Sequence, residues 1–162
     1  MHPRSPFYPN HAAKTALLST KPLTQYLEDA AHLTPEKTAI VFEGSEISYA
    51  ELLSKVESLA AHLHHTLQVK KGDRVILLSQ NCPEYIVAFY AVMRVGAVVV
   101  PINPMCKADE VAFYVADTDA RVAIVARELL ANLPSDLLHI VDMDSRLRGN
   151  DEGEIGRASC RE

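Results

Sequence analysis

Apolar residues follow two rhythms along this chain. Leu52, Val56, Leu59, Ala60 and Leu63 recur at helical spacing and form one apolar stripe, with Glu51, Lys55, Glu57 and Ser58 turned outward. Ser48 and Glu51 stand three apart at its start, the spacing of a capping box, so a long helix is expected to begin there. Pro83 to Val95 repeats the helical rhythm at Ile86, Val87, Tyr90 and Ala91, and Gly96 can take the left-handed conformation that closes a helix. Ala97 to Val100 is then apolar at every position, as in a strand covered on both faces within a parallel sheet, and the rest of the chain is expected to arrange itself around it. Pro101 lacks an N–H and Asn103-Pro104 resists helix, so the chain should leave the sheet at this strand's carboxyl end. That is the end where open α/β sheets bind ligands.

The remaining segments extend the pattern. Leu23 to Leu33 reads as a helix capped by Thr24, facing inward through Leu27, Ala30 and Ala31, and stopped by Thr34-Pro35. Thr38 to Phe42, a tight turn at Gly44-Ser45 and Glu46 to Tyr49 read as a hairpin. After a turn at Lys70 to Asp73 come strand Arg74 to Ser79, helix Pro83 to Val95, strand Ala97 to Val100 and helix Lys107 to Asp117. Strand Arg121 to Ala126, short helix Arg127 to Leu133 and strand Leu138 to Met143 complete the series. This alternation implies an α/β fold: a mostly parallel sheet with right-handed crossovers, flanked by helices and preceded by an early β-hairpin. Residues 1–22, with Pro3, Pro6 and Pro9, read as a disordered leader in which Ala12 to Leu18 could form a short helical turn. Residues 23–143 form the domain, and residues 144–162 break from its pattern.

Composition narrows the class. At 162 residues, 48% hydrophobic and 23% charged, the chain can bury one core. A net charge of -5 without a basic stripe argues against nucleic acid as a partner. No apolar run approaches a membrane span and no secretion signal is evident, so a cytoplasmic protein is expected. Cys82, Cys106 and Cys160 are odd in number and share no Cys-x-x-Cys spacing, which favours reduced thiols over disulfides or zinc.

Each residue group that could carry chemistry has a simpler structural reading. His62 and His65 could share a helix face with His64 nearby, but no acidic or cysteine partner stands at ligand spacing, and a polar helix end explains them. Asp109-Glu110 and Asp117 with Asp119 read as charge at a helix start and as turn residues. Cys82 precedes Pro83 at a helix start, where the dipole could lower a thiol pKa, yet no histidine lies near it in sequence. Tyr85, Phe89 and Tyr90, with Phe113 and Tyr114, could line a pocket; at helical spacing, aromatics are more simply core. None of the six glycines falls in a phosphate-binding arrangement, and there is no Gly-x-Ser-x-Gly.

Several segments, taken together and in order, are similar to one family. Ile47-Ser48-Tyr49-Ala50-Glu51-Leu52 resembles the first core motif of the adenylate-forming (AMP-binding) enzymes, and Met93 to Pro104 resembles the second. Between them, Lys71-Gly72-Asp73-Arg74-Val75 and Gln80-Asn81-Cys82-Pro83-Glu84-Tyr85 fit the same pattern. The resemblance runs from about Leu23 to Met143 and is nearest to long-chain fatty-acid-CoA ligases, more loosely to aryl-acid-CoA ligases and peptide-synthetase adenylation domains. It implies an incomplete N-terminal subdomain of that fold. For the parent it implies ATP, magnesium, coenzyme A and a fatty acid substrate: the carboxylate attacks the α-phosphate of ATP, pyrophosphate leaves, and the coenzyme A thiol displaces AMP.

The family draws its phosphate contacts from a Ser/Thr/Gly-rich loop ending in Pro-Lys-Gly, a Tyr-Gly-x-Thr-Glu segment, a ribose-binding aspartate and a C-terminal-domain lysine. No position here matches them, so no catalytic, cofactor-binding or metal-binding residue carries over, and this fragment is expected to bind none of the cofactors and to be inactive. Asp144 to Asp151 resembles a translated bacterial interspersed repeat, and Glu154 to Glu162 a translated sequencing adapter. The expectation is therefore a truncated reading frame. A sheet lacking its later strands would leave an open edge and uncovered apolar faces, favouring aggregation and poor solubility over a stable monomer. A non-catalytic module or homodimer, and for the parent a peripheral contact with the inner membrane, stand beside this reading.

Overall fold

The computed structural model describes residues 20–143. Most of the expected leader and the whole expected tail lie outside these residues, as does the helical turn read at Ala12 to Leu18.

The helix α1, Leu23–Leu33, occupies the expected span, but it starts without a side-chain cap: Pro22 holds the N-cap position and Thr24 lies inside the first turn. At its other end Thr34 returns both its amide and its hydroxyl to the Ala30 carbonyl. The strands β1, Thr38–Phe42, and β2, Ser45–Ser48, form an antiparallel hairpin. Its turn falls on Glu43 and Gly44, one residue before the expected Gly44-Ser45, and both have positive φ (48° and 82°). That left-handed pair matches the twist of the flanking strands and lets Ser45 pair with Phe42.

Ser48 ends the hairpin and starts α2, Tyr49–Ala61. The capping box forms as its spacing predicts: the Glu51 amide donates to Ser48 Oγ at 3.3 Å and the Ser48 amide donates to a Glu51 carboxylate oxygen at 2.8 Å. These contacts hold the Glu51 carboxyl below its ordinary pKa, the Ser48 backbone amide foremost and its hydroxyl second. The predicted stripe, Leu52, Val56, Leu59, Ala60 and Leu63, is buried throughout. The stripe does not show that the helix widens into a π turn at His62–Thr66, where the Leu67 amide reaches back to the His62 carbonyl.

Four parallel strands follow: β3 Arg74–Leu78, β4 Val98–Ile102, β5 Val122–Val125 and β6 His139–Asp142, in the spatial order β4-β3-β5-β6. The connections are α3, Pro83–Arg94, then α4, Ala108–Thr118, then a short 3-10 helix, Arg127–Asn132. Val87, Ala88, Ala91 and Val92 of α3 join α1, α2 and one face of the sheet in the larger core. Ile86, expected inward, is 37% exposed. Val111 and Val115 of α4 meet Ile76, Leu78, Ala123 and Val125 on the other face. The fold is thus the expected parallel sheet between helical layers, with a hairpin beside it.

The strand at Val98 does not hold the expected central place. Among the described residues β4 is an edge strand, with Val98 49% exposed, whereas β3 beyond Arg74 and all of β5 are buried. Nor does the chain leave the sheet at Pro101, because β4 continues through Ile102. The edge position explains this. The Val98 amide donates inward to the Asp73 carbonyl, so the alternation of the ladder turns positions 99 and 101 outward, where Pro101 forfeits no sheet hydrogen bond. Upstream, Gly96 (φ 77°) closes α3: its amide reaches the Met93 carbonyl and the Ala97 amide reaches that of Val92.

Candidate functional site

The strand order creates a crevice. From β3 the chain runs to β4 on one side through α3, whereas from β5 it runs to β6 on the other side across the opposite face. The segments leaving β3 and β5 therefore diverge at their carboxyl ends, and the gap between them is a topological switch point, the usual ligand site of open α/β sheets. A cleft of about 460 Å³ lies there. Ser79 to Glu84 form the wall after β3, Ala126 and Glu128 the wall after β5, and Met143 follows β6. The hairpin closes the remaining side with Ile40, Phe42, Glu43, Ser45 and Ile47. The cleft thus opens at the ends of β3, β5 and β6, not beyond Pro101 as expected.

Burial and hydrogen bonding shape its floor. Ser79, 4% exposed, is the buried polar residue of the described core; its hydroxyl donates to the Gln80 carbonyl at 3.0 Å and lies 3.6 Å from Cys82 Sγ. Cys82 is the N-cap residue of α3, in extended conformation and without a side-chain cap bond. Burial pushes its thiol pKa up, outweighing the Ser79 contact that acts the other way. Desolvation therefore outweighs the helix start at this cysteine and shifts its thiol away from the reactive thiolate.

The cleft's charge limits its chemistry. Its charged lining residues are Glu43, Glu84 and Glu128, with no lysine, arginine or histidine among them. A triphosphate or carboxylate placed here alone would meet like charge without a counter-cation. Among the described residues no three His, Cys, Asp or Glu side chains converge to hold a metal. The described lining residues thus offer neither a counter-cation for ATP nor a ligand set for magnesium.

The other candidates lie elsewhere. His64 and His65 are exposed on the π turn, ring against ring at 4.8 Å. Glu110 caps α4 by accepting from the Lys107 amide at 2.8 Å, and Asp109 shares that first turn. Asp119 ends α4 in the left-handed conformation, 3.3 Å from Arg74, while Asp117 is exposed. Tyr85, Phe89 and Tyr90 pack on the larger core, but Phe113 and Tyr114 are 64% and 40% exposed. Sequence reasoning drew attention to Gln80 to Tyr85 without giving them a place in a cleft, and missed Ser79, the hairpin tip and Met143. The signal was the junction of a strand end with a Pro-initiated helix; its significance depends on strand order.

Comparison with known proteins places this geometry. The profile described as "AMP-binding enzyme" matches residues 27–158. A long-chain-fatty-acid–CoA ligase of Bacillus subtilis is 34% identical over 117 residues, 72% of this chain and 21% of the relative. The anthranilate CoA ligase AuaEII, solved in complex with anthranoyl-AMP, is 30% identical with a TM-score of 0.69, covering 79% of this chain and 26% of that one. The Klebsiella oxytoca NpsA N-terminal subdomain, in complex with 3-hydroxyanthranilyl-AMSN, is 25% identical with a TM-score of 0.70, covering 77% of this chain and 31% of that one. The chain spans about a fifth of the length of the Bacillus ligase.

Proposed function

The chain belongs to the AMP-binding enzyme family, and on that footing we propose that it forms the amino-terminal scaffold and one cleft wall of an ATP-dependent acid-thiol ligase of the long-chain fatty-acid-CoA type. The complete ligase joins a fatty carboxylate to the α-phosphate of ATP with release of pyrophosphate, then passes the acyl group from AMP to the thiol of coenzyme A. Magnesium offsets the phosphate charge in that reaction. The present chain supplies neither the phosphate-binding loop nor the lysine, and is inactive by itself. The observation that supports this reading is the switch-point cleft, whose charged lining residues are Glu43, Glu84 and Glu128, with no lysine, arginine or histidine among them to meet a triphosphate.

The choice of a fatty acid rests on the 34% identity to the Bacillus ligase. An aryl acid is the second reading, favoured by the 30% identity to the anthranilate ligase. The ligase is taken to work in the cytoplasm, meeting its substrate at the inner membrane; among the described residues no helix is long and apolar enough to cross it.

Long-read sequencing across the codon for Met143 tests the first part of the proposal. A continuation encoding a Ser/Thr/Gly-rich loop ending in Pro-Lys-Gly is expected, and its absence from clean sequence would argue against a ligase parent. Hydroxamate trapping by the completed protein, with hexadecanoate and with anthranilate, tests the second. Product from anthranilate alone would replace the fatty-acid reading with the aryl one.

A further inference from the structure

We propose that a cavity at the amino end of the sheet is a binding site for a phosphate-bearing anion, held by Lys70, Arg121 and His139. Parallel pairing brings the starts of β3, β5 and β6 together at the end of the sheet opposite the cleft. There a cavity of about 450 Å³ opens between the Leu67 to Arg74 turn, the start of β5 and Leu138-His139. Its walls are all described segments, and Met143, the last described residue, lies at the other end of β6, on the cleft.

Charge distinguishes the two ends of the sheet. The cleft has carboxylates and no cation, whereas this cavity is lined by Lys70, Arg74, Arg121 and His139 in a chain whose net charge is -5. Asp73 and Asp119 line it too, and both are engaged from within. A carboxylate oxygen of Asp73 accepts from the Lys70 amide at 2.8 Å, and Asp119 stands 3.3 Å from Arg74, whose Nε also donates to the Thr118 carbonyl at 2.5 Å. Lys70 and Arg121 have no such match: both are exposed, and among the described residues neither side chain makes a hydrogen bond or an ion pair. The backbone holds Lys70 in place, since the Asp73 amide donates to its carbonyl at 3.1 Å. Gln68 and Asp119 on the rim are two of the three non-glycine residues with positive φ among the described residues (55° and 51°), conformations that cost energy and cluster where ligands are held.

Lys70 offers a point charge and Arg121 a planar fork of donors, and a phosphate has the charge and the oxygens to meet both while accepting from His139. Leu67, Val69, Val122 and Leu138 complete the lining and give an organic group on that phosphate an apolar surface to lie against. A soluble phosphate ester and an acidic lipid headgroup share this chemistry. The site does not involve the cleft, so it stands whether or not the ligase reading holds.

Calorimetric titration of the full 162-residue chain with millimolar pyrophosphate, and flotation with vesicles of phosphatidylglycerol or of phosphatidylcholine, test it. Binding of pyrophosphate is expected if the source is soluble; binding of phosphatidylglycerol vesicles alone, with phosphatidylcholine left unbound, identifies a lipid headgroup. Arg121→Gln and Lys70→Gln should each raise the dissociation constant about tenfold with the circular dichroism spectrum unchanged. Lys37→Gln, which lies outside the cavity lining, should not. Failure of both probes to bind would overturn the proposal. So would binding that neither Arg121→Gln nor Lys70→Gln weakens, or that Lys37→Gln weakens equally.

Discussion

Gly96 joins α3 to the edge strand, and replacing it should expose how tightly that joint is built. Gly44, Gly72 and Gly96 all have positive φ (82°, 88° and 77°), so alanine at any of them is held in the left-handed region. An added Cβ meets nothing within 4 Å at Gly44 or Gly72, but at Gly96 it lies 3.2 Å from Lys71 Cγ and 3.4 Å from Lys71 Cβ. Lys71 cannot simply withdraw. The Gly72 amide donates to the Gly96 carbonyl at 3.0 Å and the Asp73 carbonyl accepts from Val98 at 2.8 Å, pinning the turn to the strand. Backbone strain, partly offset by the stiffer unfolded chain, should make Gly44→Ala cost about 1 kcal/mol. Crowding adds to this at Gly96→Ala, for a total of about 2 kcal/mol. With a urea slope of about 1–3 kcal/mol/M, that lowers the midpoint by roughly 1 M. Pulse proteolysis in urea, at high dilution to avoid association, reads the shift. Lys71→Ala in the Gly96→Ala background should recover about 0.5 kcal/mol as a coupling energy. A Gly96→Ala variant no less stable than Gly44→Ala, or the absence of coupling to Lys71, would refute the argument.

Four further outcomes follow from the same structure. Ser48→Ala removes the hydroxyl that caps α2 and should destabilise by about 1 kcal/mol in urea unfolding. Because Glu51 is held below its ordinary pKa by Ser48, its contribution is complete above that ordinary value and fades as pH falls through the lowered folded value. The acid limb of the stability curve should therefore flatten in Glu51→Gln; an unchanged limb would show that the carboxylate is not linked to folding. Leu77→Ala, at a fully buried position in the centre of the sheet, should cost about 2–5 kcal/mol by the same assay, and a loss below 1 kcal/mol would mean that the core relaxes around the gap. Alkylation of Cys82 by iodoacetamide at neutral pH, followed by peptide mass analysis, should be slower than that of free cysteine; a faster rate would contradict the raised thiol pKa.

Local signals of the fold were legible where one interaction sets the outcome. The Ser48–Glu51 capping box, the α2 stripe and the Gly96 stop were all visible because each depends on neighbours within a few residues. What depends on strand order was not. Ala97 to Val100 reads as a buried strand because four apolar residues look alike at the centre and at the edge of a sheet; Pro101 held the clue, since a proline inside a strand is confined to edges. The site escaped for the same reason. Ser79 and Met143 lie 64 positions apart in sequence, and only the placement of β3 beside β5 and β5 beside β6 brings them to one cleft. For Cys82 the helix start alone left a lowered thiol pKa open beside the simpler capping-region reading; burial, set by packing, raises the pKa and favours the simpler one.

On the proposed reading, this chain is a scaffold whose cleft wall does not by itself bind and activate a triphosphate. ATP–pyrophosphate exchange dependent on hexadecanoate, measured with the purified 162-residue protein and magnesium, tests it most directly. The account predicts exchange no greater than in the protein-free control. Sustained fatty-acid-dependent exchange that copurifies with the chain would contradict it.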